Sequence, residues 1–405
     1  MSWASVTLGE VSTNIQTGPF GSQLHQSDYS DGGVPVVMPK DLVDGHISED
    51  SIARVSMSHV DRLSRHKIEV GDILYSRRGD VGRCAFATEV EQGWLCGTGC
   101  LRVTIDQSKA IPKFIFYQLQ KAETIGWVEK HAVGSTMLNL NTSILGSVPI
   151  ELPSMAEQQM IVHVLSAYDD LIENNQKQIK LLEEAAQRLY KEWFVDLRFP
   201  GHETTPIVDG IPEGWSMCTA GNVIEFNPKT PLKKGCIKQS VPMTALSTSS
   251  MVLNSSEFTM TESNSGAKFR NGDTLLARIT PCLENGKTAF VAGITSEEGA
   301  VGSTEFIVMR AKKINPYMVY LLARTEEFRK TAINSMTGSD GRQRAQVDKI
   351  MQFPYLLAPQ STLEAFSQLV EPIFEQVYLK NSQIAQLSQA RDRLLPKLMS
   401  GEIEV

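Results

Sequence analysis

The sequence predicts an α+β fold: two similar β-rich domains joined and separated by two long antiparallel coiled-coil helices, with a pseudo-two-fold internal repeat. Three observations predict it. The chain repeats itself at an offset of 201 to 207 residues from Gly71 onward. Short apolar runs broken by Gly, Pro, Asp and Ser fill two blocks of the chain. A heptad-patterned segment follows each block.

The repeat is read directly. Gly71-Asp72-Ile73-Leu74 returns as Gly272-Asp273-Thr274-Leu275, and Gly82-Arg83-Cys84-Ala85-Phe86 as Gly286-Lys287-Thr288-Ala289-Phe290. Gly134-Ser135-Thr136 returns as Gly338-Ser339-Asp340, and Val148-Pro149 as Phe353-Pro354. Trp3, Gly9 and Val11 return as Trp215, Gly221 and Val223 at an offset of 212, so the first block carries about eleven extra residues, placed around His25 to Arg65. A period near half of 405 residues is a duplicated domain, not a solenoid.

The first block, residues 1–153, holds strand-like runs at Val34 to Met38, Gly71 to Tyr75 and Cys84 to Ala87, and a short helix from Pro112 to Gln120 with proline in its first turn. A long helix occupies 154–197, a linker 198–214, the second block 215–359 and a second long helix 360–405. Pro316 opens the matching short helix of the second block. Ser154-Met155-Ala156-Glu157 and Ser361-Thr362-Leu363-Glu364 both fit the capping box.

The helix seams read Ile161, Tyr168, Asn175, Leu182 and Leu189 in the first copy, with Val164 or Leu165, Leu171, Gln178 or Ile179, and Ala185 between. The second copy reads Phe366, Ile373, Lys380, Leu387 and Leu394, with Val370, Val377, Ile384 and Arg391 between. Two matched seams predict mutual packing, with Asn175 and Lys380 brought close at its middle, where polar seam residues fix register. The 33 residues from Ile161 to Trp193 would span roughly 50 Å at ~1.5 Å per residue, about one and a half DNA turns of ~34 Å.

Composition bounds the function. A net charge of −7 argues against a general polyanion binder, yet the acid is concentrated: net −4 over Met155 to Leu197 and net −2 over Gln360 to Val405. The two blocks together carry only −1, which leaves room for a basic face on each. No apolar run reaches 18 residues and the start lacks a signal-peptide pattern, so no membrane role and a cytoplasmic location are expected. The six cysteines form no C-x-x-C pair and read as free thiols, without a metal site.

Catalytic motifs fail on inspection. Leu283 to Thr288 ends like a phosphate-binding loop, but Pro281 stands where glycine is needed, and a strand after a turn explains it better. Ile314-Asn315-Pro316-Tyr317 resembles an adenine-holding methyltransferase motif, but a helix start accounts for it. No G-x-G-x-x-G, no G-x-S-x-G and no duplicated carboxylate pair occurs, and every histidine lies at or before His202. Neither catalytic residues nor a bound cofactor is expected on this chain.

What remains is a set of polar residues on loops. Arg77, Arg78 and Arg83 fall around one loop of the first block; Arg278, Asn285 and Lys287 hold the matching loop of the second, grown from four residues to seven. Asn139 and Asn141 stand against Arg342, Gln343 and Arg344 farther along. A kept framework with a changed loop suits two readers of different targets. Arg and Asn or Gln are the side chains that contact guanine and adenine edges bidentately, so these are the candidate DNA-binding residues. Solvated surface charge is the plain alternative for each.

Ile211-Pro212-Glu213-Gly214-Trp215, and Gly134-Ser135-Thr136 followed by Asn141, Pro149, Leu152-Pro153 and Glu157-Gln158-Gln159, resemble the specificity subunits of type I restriction–modification systems. The second junction departs from the pattern, since Glu364-Ala365-Phe366 lacks the Glu-Gln pair. The resemblance implies two target-recognition domains, each reading half of a bipartite asymmetric double-stranded DNA site. It also implies helices that set the spacing and dock two methyltransferase (modification) subunits, with one copy of the chain per complex. S-adenosylmethionine and ATP with Mg would then lie on the partners, which methylate adenine N6, with restriction/translocase subunits joining them. The rivals are a freestanding bipartite DNA-binding regulator and a coiled-coil protein scaffold. Mixing the chain with DNA, with and without a methyltransferase subunit, separates the three.

Overall fold

The computed structural model describes residues 3–134, 138–339 and 341–403. Ser135 and Thr136 of the first Gly-Ser motif and Asp340 of the second lie outside the described residues. Two compact units form: Met1–Asp170 with Leu387–Val405, and Leu171–Gln386. The division therefore falls within the long helices rather than at their ends.

In the first unit, Ala4–Thr7 pairs antiparallel with Pro149–Leu152, so the block's entry and exit are stitched together. Between them a four-stranded antiparallel sheet runs in the order Ser12–Thr17, Cys100–Ile105, Ile73–Ser76, Cys84–Phe86. The central strand Ile73–Ser76 is buried along its whole length, which is why its residues do not alternate apolar and polar. The helix Pro112–Leu119 packs on this sheet and buries Phe114, Ile115 and Tyr117. A second sheet carries Leu95–Cys96 parallel to Val34–Val37, then Ala53–Val55 and Tyr29–Ser30. All six cysteines are free, and burial pushes the Cys84 and Cys96 thiols up to about 12.

The second unit repeats the plan. Ser216–Thr219 pairs with Pro354–Leu357, and its main sheet runs Ile224–Phe226, Phe306–Ala311, Thr274–Ala277, Thr288–Phe290. Its second sheet again has a parallel pair, Lys238–Val241 with Ala300–Gly302, but the extra edge strand differs. Here Ala267–Phe269 is added beside Ala300–Gly302, whereas the first unit adds Tyr29–Ser30 beside Ala53–Val55. The first block's additional residues build the turn Gln26–Asp28 with that edge strand and the helix Met57–Arg62, inside the region the offset indicated.

The duplicated Gly-Asp pair is structural. Gly71 and Gly272 both sit at φ +89°, a conformation that favours glycine. Asp72 and Asp273 then turn inward: Asp72 accepts from the Thr104 hydroxyl at 2.5 Å, and Asp273 holds Arg310 through two 2.7 Å hydrogen bonds.

Each long helix is continuous, Met155–Tyr190 and Gln360–Met399, and a π-helical turn, Lys191–Val195, extends the first. Ser154 and Glu157 form the capping box reciprocally, at 2.7 Å between side chains and 3.3 Å from the Glu157 amide to the Ser154 hydroxyl. The second box does not form. That helix begins two residues earlier than a Ser361 cap would place it, the Pro359 carbonyl receives the Thr362 and Leu363 amides, and Glu364 accepts from Gln360 instead. Pro359 stands just before the helix and its carbonyl takes the first amides, which places Ser361 inside the first turn.

Within each unit the beginning of one long helix and the end of the other enter a single core. Ile161 and Leu165 share the first block's core with Leu398 and Met399, and Leu394 lies against it. In the second unit Phe366, Val370, Phe374 and Val377 share the core with Ala186, Tyr190 and Trp193, with Leu182, Leu189, Ile179 and Ile373 packed alongside. The direction is antiparallel in both: Asp169 pairs with Arg391 while Ile161 meets Leu398, and Tyr190 meets Phe366 ring to ring at 6.1 Å. Of the seam, Tyr168, Leu387 and Ile384 are half-buried, Asn175 is buried and Lys380 half-buried. No hydrogen bond joins Asn175 to Lys380 among the described residues. Two intervening positions of the expected seam are corrected: Leu171 and Ala185 are exposed, while Ile172 and Ala186 one residue on are buried. The 3.6-residue turn drifts from a strict heptad, and the helix follows the former.

The linker is ordered around two rings. Phe199 packs on Trp215 at 4.9 Å, and a small hairpin pairs Ile207–Val208 with Ile211–Pro212.

Candidate nucleic-acid interface

The loop residues singled out separately in sequence are brought together by one backbone clamp in each unit. In the first, the Arg77 carbonyl accepts from the Leu140 amide at 2.8 Å and the Gly79 amide donates to the Leu138 carbonyl at 3.1 Å. In the second, the Arg278 carbonyl accepts from the Ala345 amide at 2.8 Å and the Thr280 amide donates to the Gln343 carbonyl at 3.1 Å. Arg78 bridges Asn139 as Ile279 bridges Arg344, and Val133 bridges Asn139 as Thr337 bridges Arg344. Asn139 and Arg344 are thus structural equivalents, pinned from both sides by main-chain bonds.

The side chains on this clamp differ. Arg77 is half-buried, with its guanidinium 5.9 Å from the ring centre of Phe20, a side chain 53% exposed. Arg78 is exposed. Asn139 buries its Oδ1 without a partner. Arg344 instead holds Glu305 with Nε and Nη2, at 2.9 and 2.6 Å, and Arg278 Nε lies 3.8 Å from the same carboxylate. The Arg344 guanidinium keeps the Glu305 carboxyl below its usual range. Arg342 is exposed, and Gln343 uses its backbone amide on the Thr280 hydroxyl.

Several candidates already have structural partners. Arg83 pairs with Asp80 at 2.6 Å, and Lys287 donates to the Met243 carbonyl at 3.0 Å. Asn141 spends its side-chain oxygen on the Ile144 amide at the start of helix Thr142–Gly146. Asn285 is exposed in the enlarged loop, which Arg324 and Arg329 hold through the Gly286 and Glu284 carbonyls.

The structure adds residues that the sequence reading passed over. Lys229, Thr230, Lys268, Arg278 and Thr304 line one open cleft in the second unit, and among the described residues neither lysine has an acidic partner. Asn227-Pro228-Lys229-Thr230-Pro231 had only a turn signature, and Lys268 lies in a strand; nothing in the sequence ties the two together. Among the described residues no cluster of His, Cys, Asp and Glu could hold a metal ion, and no helix is long and apolar enough to cross a membrane.

The first-unit pattern is matched by the family model for the type I restriction modification DNA specificity domain over residues 1–184. The chain is 27% identical over 393 residues to the MjaIX specificity subunit of Methanocaldococcus jannaschii, covering 93% of this chain and 88% of that one. The chain is similar to the specificity subunits of type I restriction–modification systems. A second relative, the HindI specificity subunit of Haemophilus influenzae, is 25% identical over 59% of this chain and 50% of its own length. The fold agrees with the crystal structure of the S subunit from M. genitalium, at a TM-score of 0.57 and 15% identity, covering 98% of this chain and 96% of that one. The second block, residues 215–359, lies outside the family-model match and repeats the first block's topology strand for strand in its main sheet.

Proposed function

We propose that this specificity subunit is the non-catalytic DNA-recognition component of a type I complex. Each block reads one half of a bipartite, asymmetric double-stranded site. The long helices set the spacing and dock two methyltransferase subunits, one copy of the chain serving each complex in the cytoplasm. S-adenosylmethionine belongs to those partners, which methylate adenine N6; ATP with Mg belongs to restriction/translocase subunits. The observation that carries the reading is the duplicated clamp: one backbone frame presents Arg77, Arg78 and Asn139 in one block and Arg278, Arg344 and Glu305 in the other. Such a pair suits two unlike half-sites, whereas a palindromic regulator uses two equal halves. The acidity of the chain fits partners that supply much of the phosphate contact.

The test is methylation, by the assembled complex, of a DNA library randomised in one half-site at a time. Arg77→Ala or Arg78→Ala should relax one half-site, and Arg278→Ala or Arg342→Ala the other, each by about 1–3 kcal/mol for a lost bidentate base contact. If both sets alter the same half-site, or neither alters any, the reading falls.

A further inference from the structure

We propose that Glu305 is a positioning residue that presents Arg344 to a guanine in the half-site of the second block, an inference that rests on the DNA-recognition reading above. Arg344 is fixed at both ends. Its backbone amide and carbonyl bond to Thr337 at 2.9 and 3.1 Å, and its carbonyl also receives the Gln346 side chain at 2.9 Å. Its guanidinium is gripped on one edge only, through Nε and Nη2 to the Glu305 carboxylate. The opposite edge, Nη1 with the second hydrogen of Nη2, has no partner among the described residues. That edge is the two-donor fork that matches O6 and N7 of guanine in the major groove.

A guanidinium held this way loses little freedom on binding, because its rotamer is already chosen. Glu305 also stands 3.8 Å from Arg278, which lines the cleft with Lys229 and Lys268. Those two lysines, without acidic partners among the described residues, suit the phosphate backbone beside the base being read. The local charge is therefore divided: lysines for phosphate, a neutralised Arg–Glu pair for the base edge.

The first block cannot build the same device. The Arg77 amide donates to the Gly99 carbonyl as the Arg278 amide donates to that of Glu305, so glycine holds the carboxylate's position. A Cβ on Gly99 would lie 2.7 Å from Pro39, which excludes a side chain there. Asn139 takes the place of Arg344. The equivalent positions are thus Asn with Gly in one block and Arg with Glu in the other, which is the residue difference expected of readers of different bases.

The test is selection of bound sequences from a random double-stranded DNA library by the full chain assembled with its methyltransferase subunits. If the unmodified complex selects no bipartite motif, the recognition reading itself fails before any variant is compared. Given a motif, Arg344→Ala should reduce preference at one G·C position of one half-site by about 5- to 150-fold, the range of a lost bidentate contact. The other half-site should stay unchanged. Arg344→Gln should move the preference at that position toward adenine. Glu305→Ala should weaken the guanine preference at the same position while leaving non-specific affinity equal or higher, since an anion is removed from beside DNA. Glu305→Asp should recover part of the preference. Uniform loss of affinity across all positions in the Arg344 variants, or an unchanged motif in Glu305→Ala, would overturn the assignment.

Discussion

Arg391 donates from Nη1 to Asp169 at 2.9 Å, whereas the positions 205 residues away in the repeat hold Ala186 and Phe374. Asp169 also accepts from the Tyr117 hydroxyl at 2.5 Å and has Lys113 at 3.8 Å. In the second unit Phe374 instead meets the Tyr317 ring at 4.8 Å, and Ala186 is fully buried. One helix junction is closed by charge and the other by rings, on the same backbone plan.

Asp169→Ala should therefore destabilise the first unit by about 3 kcal/mol, because it strands Arg391 beside a largely desolvated site. Replacing both partners, Asp169→Phe with Arg391→Ala, copies the apolar junction and should lose less than Asp169→Ala alone. Urea unfolding of Asp169→Phe, of Arg391→Ala and of the double variant gives the coupling directly. A coupling under about 0.5 kcal/mol would mean the pair is independent.

The two helix starts predict unequal responses to the same substitution. Ser154→Ala removes a working cap and should lower stability by about 1 kcal/mol. Ser361→Ala changes a first-turn residue that caps nothing and should stay within about 0.5 kcal/mol. Equal losses in thermal unfolding would contradict the observed helix starts.

His66 predicts an acid sensitivity. It is buried, and that burial, with Arg65 and Arg102 nearby, pushes it down to about 4. The unfolded chain takes up the proton near the ordinary value of about 6.5, while the folded one resists until about 4. Stability is thus unaffected above pH 6.5 and falls by up to about 1.4 kcal/mol per pH unit below it. Urea midpoints measured from pH 7.5 to 5 should show the decline, and His66→Gln should flatten it. An identical slope in the variant would assign the effect to other groups.

Asn175 is a buried polar residue on a helix seam, with no hydrogen-bond partner among the described residues. Asn175→Leu should raise the thermal midpoint by about 2–4 °C. A lower midpoint would show that its amide is engaged and that register, rather than stability, was never traded there.

Much of this architecture was legible because duplication leaves its mark on turn residues. Gly71 and Gly272 mark the repeat since each sits at φ +89°, where other residues are strained, and Asp72 and Asp273 since each must close the same turn. Pro316 and Asn315 read as a helix start, and Asn315 does accept the Met318 amide at 2.8 Å. The named heptad positions are all buried or half-buried, whereas Leu171 and Ala185 are exposed, where the actual helical period parts from seven. The second capping box looked as good as the first, yet one proline moved the helix start and left Ser361 inside it.

The sequence by itself determined the repeat, the β-rich blocks and the long helices, because local periodicity, caps and turn chemistry are carried by neighbouring residues. Tertiary structure alone decided which distant groups meet. Arg344 and Glu305 are 39 residues apart, and Asp169 and Arg391 are 222 apart, so no local pattern couples them. Their pairing depends on strand order and on antiparallel helix register, which only the folded chain fixes. That is why candidate loops could be named from sequence, while only the fold showed which of their cations are already engaged by partners within the chain.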